Sequence, residues 1–176
     1  GGYYGPYLKF SGWDGLEING KSEKDIILFI DGSVGIVKII DATFVKERDT
    51  HILAPYLINK FASDENDKKN ISVLSSGRGA EHSKIGTINF SFYDVKHGKT
   101  RLRQTGRGGM GTVLRDKRVL AVVIKYNGIN GTLNNPNDIL KINELAIKIH
   151  KEIASLNEDK ILKTCKTADY ISLMNE

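Results

Sequence analysis

The sequence has a single cysteine, Cys165, among its 176 residues. One cysteine excludes a disulfide within the chain, and such low cysteine use is typical of a reducing compartment. We therefore expect a cytoplasmic protein. No histidine lies near Cys165 in sequence, so an ordinary packing or surface cysteine is the simplest interpretation.

Long apolar runs are also absent. No stretch approaches the roughly 18 consecutive apolar residues of a membrane helix, and no basic-then-apolar leader opens the sequence. We expect no membrane association and no signal peptide. The first residue is glycine rather than methionine, which indicates a processed or excised piece of a longer protein.

Acidic residues are nearly missing from one interval, 96–125, where Asp116 is the only one. The same interval holds nine basic residues, and the whole chain carries a formal charge of +5. Concentrated positive charge favours an anionic ligand or partner. The interval also contains the densest glycine cluster of the chain.

Hydrophobic periodicity predicts a sheet-rich body. Alternation of apolar and polar residues over 85–93 is typical of a half-buried strand. The continuous apolar run over 119–124 is typical of a fully buried strand. Further strands are predicted over 15–20, 25–30, 35–40 and 71–74. Helical spacing predicts helices over 7–10 and 49–62.

The last part of the chain changes character. Asn135 and Pro136 form a helix start, and an apolar stripe from Ile139 to Leu156 follows at helical spacing. A second helix is predicted over 169–175. We therefore assign residues 1–127 to one domain and 128–176 to a linker and the start of a second, helical domain.

The segment from Arg103 to Gly111 carries the most chemical information. Glycines let backbone N–H groups approach an anion closely, and two arginines add charge shaped for phosphate. A glutamine and a threonine add neutral hydrogen-bonding side chains. The residues alone fit equally well a phosphate or pterin-type cradle and a basic glycine turn without a ligand. By themselves, Gly1 and Gly2 favour a flexible terminus over a second anion contact.

Other functional motifs are not supported. The pattern Gly106-x-Gly108-x-x-Gly111 matches a dinucleotide fingerprint, but no apolar strand is expected before it and no acid follows at the required distance. No Walker lysine is present, and the four histidines lack metal-ligand spacing. The sequence thus offers binding chemistry without a visible catalytic group.

Two stretches carry a resemblance to a known family. Gly-Gly-Tyr-Tyr-Gly-Pro-Tyr-Leu-Lys-Phe-Ser-Gly-Trp-Asp, residues 1–14, resembles a motif of the tungsten-dependent aldehyde ferredoxin oxidoreductases. Arg-Gln-Thr-Gly-Arg-Gly-Gly-Met-Gly, residues 103–111, is similar to their Arg-Ala-Ala-Gly-Arg-Gly-Gly-Val-Gly. The similarity continues through residues 117–123 and is weakest over 41–84.

This resemblance implies an α+β fold: an antiparallel, sheet-rich N-terminal domain in β/α/β layers, followed by a C-terminal helical tail. It implies that residues 1–127 form the base domain that binds a tungsten (or molybdenum) bis-pterin cofactor. The implied contacts to the pterins and their phosphates are Gly1, Gly2, Arg103, Gln104, Thr105, Gly106, Arg107 and Gly108.

The resemblance also implies a larger enzyme that oxidises aldehydes to carboxylic acids. Ferredoxin would accept the electrons, and the ligands of a [4Fe–4S] cluster would lie outside this chain, which cannot supply four cysteines. The remaining domains of the enzyme are implied partners, and a homodimer is possible. The fragment alone is expected to be inactive.

Two alternatives remain from the residues. One is a nucleic-acid-binding module built on the basic Arg-Gly-Gly segment, which is disfavoured because that segment lacks interleaved aromatic residues. The other is a stand-alone protein that binds a phosphate ligand without redox chemistry.

Overall fold

The computed structural model describes residues 2–126 and 137–155. The chain divides into two compact units, with the boundary between Asn134 and Asn135. In the first unit the helices are α1 (Tyr4–Phe10), α2 (Thr50–Phe61) and α3 (Met110–Asp116). The strands are β1 (Ile26–Asp31), β2 (Ile36–Asp41), β3 (Ile71–Ser75), β4 (Ile88–Asp94), β5 (Lys99–Thr105) and β6 (Val119–Lys125). The second unit contains α4 (Ile139–Ser155).

The strands form one six-stranded sheet in the order β2-β1-β6-β3-β4-β5. Neighbours are antiparallel except for β1 and β6, which run parallel. The sheet is therefore mixed, and the prediction of an antiparallel sheet was only partly right. The physical reason is burial: β1 and β6 are almost uniformly apolar and covered on both faces, the environment in which parallel pairs are found.

Helices cover both faces of this sheet. On one face, α2 packs Leu53, Leu57 and Ile58 against the strands, and Phe61 stacks on Phe29 with ring centroids 4.5 Å apart. On the other face, α1 and α3 contribute Leu8 and Leu114 to a second core. The α+β class is confirmed. Within residues 2–126, however, one sheet lies between helices, rather than helices between two strand layers as predicted.

The structure differs from the sequence predictions at three places. Residues 15–20 form no strand, because no neighbouring strand pairs with them; Ile18 packs against the second core instead. β5 was not predicted, because an edge strand with an exposed polar face shows no apolar alternation. α3 was not predicted either, because the glycines before it mask its start.

The predicted amphipathic helix is confirmed by α4, but it begins at Ile139 rather than at Pro136 and runs to Ser155. Asp138 caps it, because its Oδ1 accepts a hydrogen bond from the backbone N–H of Lys141 at 2.9 Å. Ile142, Leu145 and Ile149 of this helix are at least 45% exposed. The predicted cap at Asn135 and Pro136 and the helix over 169–175 lie outside the described residues. No described helix is long and apolar enough to cross a bilayer.

An ion pair between Lys125 and Asp67 gives the fold a pH dependence. The Lys125 Nζ lies 2.6 Å from Asp67 Oδ2, and the backbone N–H of Ser63 donates to the same oxygen at 2.7 Å. Burial acts to raise the pKa of Asp67, but these hydrogen bonds and the lysine charge outweigh it and hold that pKa below the ordinary 3.8. The ionised carboxylate therefore stabilises the fold above pH 3.8, and this contribution is lost as the pH falls further.

We expect Asp67→Asn to lower the free energy of unfolding at pH 7 by about 1–3 kcal/mol, because Lys125 then remains half-buried without its partner. Urea unfolding of both proteins at pH 7 and at pH 3 measures the effect. The difference between them should shrink at pH 3, below the ordinary aspartate pKa of 3.8, because the unfolded chain binds the proton there and the contribution of the ionised carboxylate falls. An equal difference in the free energy of unfolding at pH 7 and at pH 3 would contradict this account.

Candidate functional site

Arg103 is placed by the hairpin of β4 and β5. It lies directly opposite Phe90, which itself lies opposite Leu74 of β3. Opposed residues of antiparallel strands share a face, and Leu74 packs into the core beneath α1 and α3. The Arg103 side chain therefore belongs to that face, where its guanidinium carbon lies 5.6 Å from the ring centroid of Phe92.

Gly2 lies against β4, on the face of the sheet to which the Arg103 side chain belongs. A Cβ at Gly2 would lie 3.3 Å from the carbonyl oxygen of Ser91 and 3.6 Å from the Cβ of Phe90. With a φ of 68°, Gly2 adopts the left-handed conformation that glycine favours. Gly2 and Arg103 are thus both neighbours of Phe90, Gly2 lying against it and Arg103 opposite it on β5. Gly1 lies outside the described residues.

Two aromatic residues after Gly2 fix this placement. The Tyr3 ring meets Phe92 edge-on at 5.9 Å, and the Tyr4 ring lies 5.4 Å from Phe90. Phe92 therefore touches both the loop that carries Gly2 and the guanidinium of Arg103. Sequence reasoning missed Phe92, although the alternation of apolar residues in β4 was the signal that could have found it.

Strand geometry separates two of the predicted contacts. Gln104 follows Arg103 in β5 and lies opposite Asn89, so its side chain belongs to the α2 face. Thr105 returns to the Arg103 face and donates a hydrogen bond from Oγ1 to the carbonyl of Ile88, at 3.3 Å. Arg103 and Thr105 can therefore contact one ligand, whereas the Gln104 side chain lies on the far side of the strand.

The glycines after β5 have two different roles. A Cβ at Gly106 would meet nothing within 4 Å, and one at Gly108 would meet only the flexible Met110 side chain, at 3.8 Å. Gly109 and Gly111 are instead pressed against another segment: a Cβ at Gly109 would lie 2.5 Å from the Lys84 carbonyl oxygen. Gly106 and Gly108 leave open space for a ligand, while Gly109 and Gly111 hold the loop to the body.

The charges of this region are unpaired. Within residues 2–126 and 137–155, neither Arg103 nor Arg107 has a carboxylate within 4 Å, and both are exposed. Nearby Arg101, by contrast, is bound to Asp94 at 2.6 Å. Two guanidinium groups without a counter-ion remain available to an anionic ligand.

A buried ion network anchors α3, the helix that follows the glycine loop. Arg115 Nη2 lies 2.8 Å from Glu81 Oε1 and 3.3 Å from Asp25 Oδ1, and Arg48 contacts both carboxylates at 3.1 and 2.6 Å. The Arg115 side chain is only 4% exposed. Burial acts to raise the pKa of Glu81, but the hydrogen bonds and charges of the two arginines outweigh it and hold that pKa below 4.5.

From the sequence, Arg115 is only one of the nine basic residues of 96–125, because nothing in the neighbouring residues indicates that it is buried. Its contacts tie α3 to the start of β1 and to the turn at residues 78–81. The network therefore fixes the position of α3, the helix that follows Arg103 and the glycine loop.

The dinucleotide-binding interpretation fails on topology. A strand does precede the glycines and a helix follows them, contrary to expectation. However, β4 and β3 separate β5 from β6, and three successive antiparallel pairings make β5 antiparallel to β6. A dinucleotide fold needs parallel strands on either side of its crossover helix.

Comparison with known proteins agrees with the resemblance seen in the motifs. Residues 1–126 match the family model described as "Aldehyde ferredoxin oxidoreductase, N-terminal domain". The tungsten-containing aldehyde ferredoxin oxidoreductase of Pyrococcus abyssi is 30% identical over 130 residues, which cover 71% of this chain and 18% of that protein. The protein of the same name from Pyrococcus furiosus is 23% identical over 180 residues, which cover the whole of this chain and 26% of its own.

The chain therefore spans about a fifth to a quarter of the length of these relatives. No solved structure gives a significant match. The family match covers most of the chain and includes every described residue of the candidate site, from Gly2 to Gly111. This chain belongs to the aldehyde ferredoxin oxidoreductase family, and residues 1–126 belong to its N-terminal domain.

Proposed function

We propose that this chain is part of a tungsten (or molybdenum) bis-pterin aldehyde:ferredoxin oxidoreductase and that it holds the pterins by their phosphates. The observation that carries the proposal is the convergence of Gly2 and Arg103 on one face of β4 and β5. Family membership supplies the cofactor class, since the named relatives are tungsten-containing.

The residues present fit such a group. Its phosphates need positive charge and close backbone approach, and the site offers two unpaired arginines beside glycines without steric obstruction. Gly2, Arg103, Gly106, Arg107 and Gly108 would hold the phosphates. Thr105 would hydrogen-bond a pterin edge. Gln104 would contribute through its backbone, because its side chain belongs to the opposite face.

The bound metal and pterins supply the two-electron oxidation of an aldehyde to a carboxylate. The residues of this chain bind and orient that group. Phe92 restricts the Arg103 guanidinium by stacking, so less side-chain freedom is lost when an anion binds. Acid–base groups, the [4Fe–4S] ligands and the ferredoxin contact would come from the remaining domains. A homodimer and a cytoplasmic location are part of the same proposal.

Replacement of Arg107 by alanine in the full-length enzyme tests this function. We expect metal and pterin content per polypeptide to fall at least tenfold, because a charge-assisted contact to phosphate contributes about 1.5–3 kcal/mol. Metal analysis and pterin fluorescence of the purified protein provide the measurement.

Arg78→Ala is the matched control, because Arg78 is also exposed and has no ion pair among the described residues, yet it lines a different cavity with Glu47 and Asp49. Unchanged metal and pterin in the Arg107→Ala protein would refute the proposal. Retention on nucleic acid that is lost in the same variant would support the nucleic-acid-binding alternative instead.

A further inference from the structure

An apolar cavity of about 330 Å³ lies between α1, α3 and the sheet. Aliphatic and methionine side chains form most of its lining, including Ile18, Ile88, Met110 and Val113. Met110 and Val113 are 53% and 43% exposed, so the cavity opens to solvent along α3. Its volume is at the lower end of the range of small-molecule sites.

Two polar side chains interrupt this lining, Tyr4 and Lys117. The Tyr4 hydroxyl has no hydrogen-bond partner among residues 2–126 and 137–155. Burial raises the pKa of Tyr4 to about 12, so its hydroxyl stays protonated at neutral pH and can donate. Tyr4 is only partly buried, so its hydroxyl remains available to donate to an acceptor that a ligand would bring.

Lys117 adds a positive charge. Its Nζ donates to the carbonyl of Gly20 at 3.0 Å, which leaves further N–H donors on the ammonium. No carboxylate of the described chain lies within 4 Å of it, because the adjacent Asp116 is bound to Lys21 at 2.9 Å. Of the described residues that line the cavity, the two with polar side chains can therefore both donate, and one is cationic.

We propose that this cavity binds a small apolar molecule that carries one carboxylate. The aliphatic walls take the hydrocarbon part, and Lys117 and Tyr4 bind the carboxylate. None of the residues that carry this inference belongs to the proposed phosphate contacts. The two proposals can therefore fail separately, although Met110 directly follows the glycine loop.

Titration of the 176-residue chain with sodium hexanoate, followed by methyl NMR, tests the site. We expect shifts of the methyl groups of Ile18, Ile88 and Met110, while those of Leu53 and Val73 on the opposite face stay in place. The uncharged probe 1-hexanol should bind about tenfold more weakly, a difference of about 1.4 kcal/mol. Equal affinity for the two probes, or shifts confined to other residues, would overturn the proposal.

Three variants sharpen the test. Lys117→Met should reduce hexanoate affinity to that of hexanol, and Tyr4→Phe should reduce it in part. Lys96→Met makes the same charge change at the far turn between β4 and β5 and should have no effect. Equal losses in the Lys96→Met and Lys117→Met proteins would overturn the proposal.

Val113→Trp provides a second route, because Val113 is partly exposed and a larger side chain there should fill the cavity and abolish binding of both probes. Persistent binding would show that the ligand lies elsewhere. Concentration-dependent shifts of the same methyl groups without a ligand would show that a second copy of the chain fills the cavity, and would equally overturn the inference.

Discussion

Replacement of Gly111 by alanine is expected to destabilise the first unit by about 3 kcal/mol, at the upper end of what overpacking usually costs. The new Cβ would overlap the carbonyl oxygen of Thr87 and lie 2.6 Å from the Ser76 Oγ. The Thr87 oxygen is backbone and cannot rotate away, so α3 must move away from the segment that contains Thr87. Urea unfolding followed by circular dichroism measures the change.

Gly106→Ala is the matched control within the same loop. A Cβ there meets nothing within 4 Å, and Gly106 does not adopt a positive φ. We expect a change of stability below about 0.5 kcal/mol, as for a surface substitution. If both variants unfold at the same urea concentration, the division of the glycines into packing and ligand-facing positions is wrong.

The second large effect is expected at Arg115. Substitution by methionine keeps most of the side-chain volume but leaves Asp25 and Glu81 to share Arg48 alone. Removing one partner of a buried ion network typically costs about 3–5 kcal/mol, because the remaining charges stay desolvated without compensation. We expect a loss of about 3 kcal/mol in the free energy of unfolding at pH 7, since Glu81 is partly exposed.

A double-mutant cycle with Glu81→Gln separates the ion pair from simple packing. Since the neutral amide removes the uncompensated charge, Arg115→Met should cost clearly less in the Glu81→Gln background. Arg115→Lys gives a second comparison, because an ammonium cannot reproduce the forked contacts to both carboxylates. Strict additivity of the two single substitutions would show that the charges do not act as a network.

The core of this fold was predictable from local patterns. β1, β6 and α2 bury long apolar side chains, and such residues mark their elements directly in the sequence. The parallel pairing of β1 with β6 was not predictable in the same way. Nearly 90 residues separate the two strands, and no local pattern encodes which strands become neighbours.

The candidate site shows the same limit. Composition identified arginines and glycines suited to phosphate, and the family match includes them. Arg103 and Gln104 belong to opposite faces of the sheet because they are adjacent in β5. This could not be predicted, because the polar residues of β5 gave no sign of a strand. The steric roles of Gly109 and Gly111 depend on carbonyl groups more than 20 residues away, and identical residue types gave no means of telling them from Gly106.

The position of β6 also sets the order in which the molecule can form. This strand is the last of the sheet in sequence but lies third in the sheet order, between β1 and β3. During synthesis, the two halves on either side of it must wait with open edges until residue 125 is available. Such long-range closure slows folding, so a nascent chain that stops before Val119 is the form most exposed to strand-to-strand aggregation.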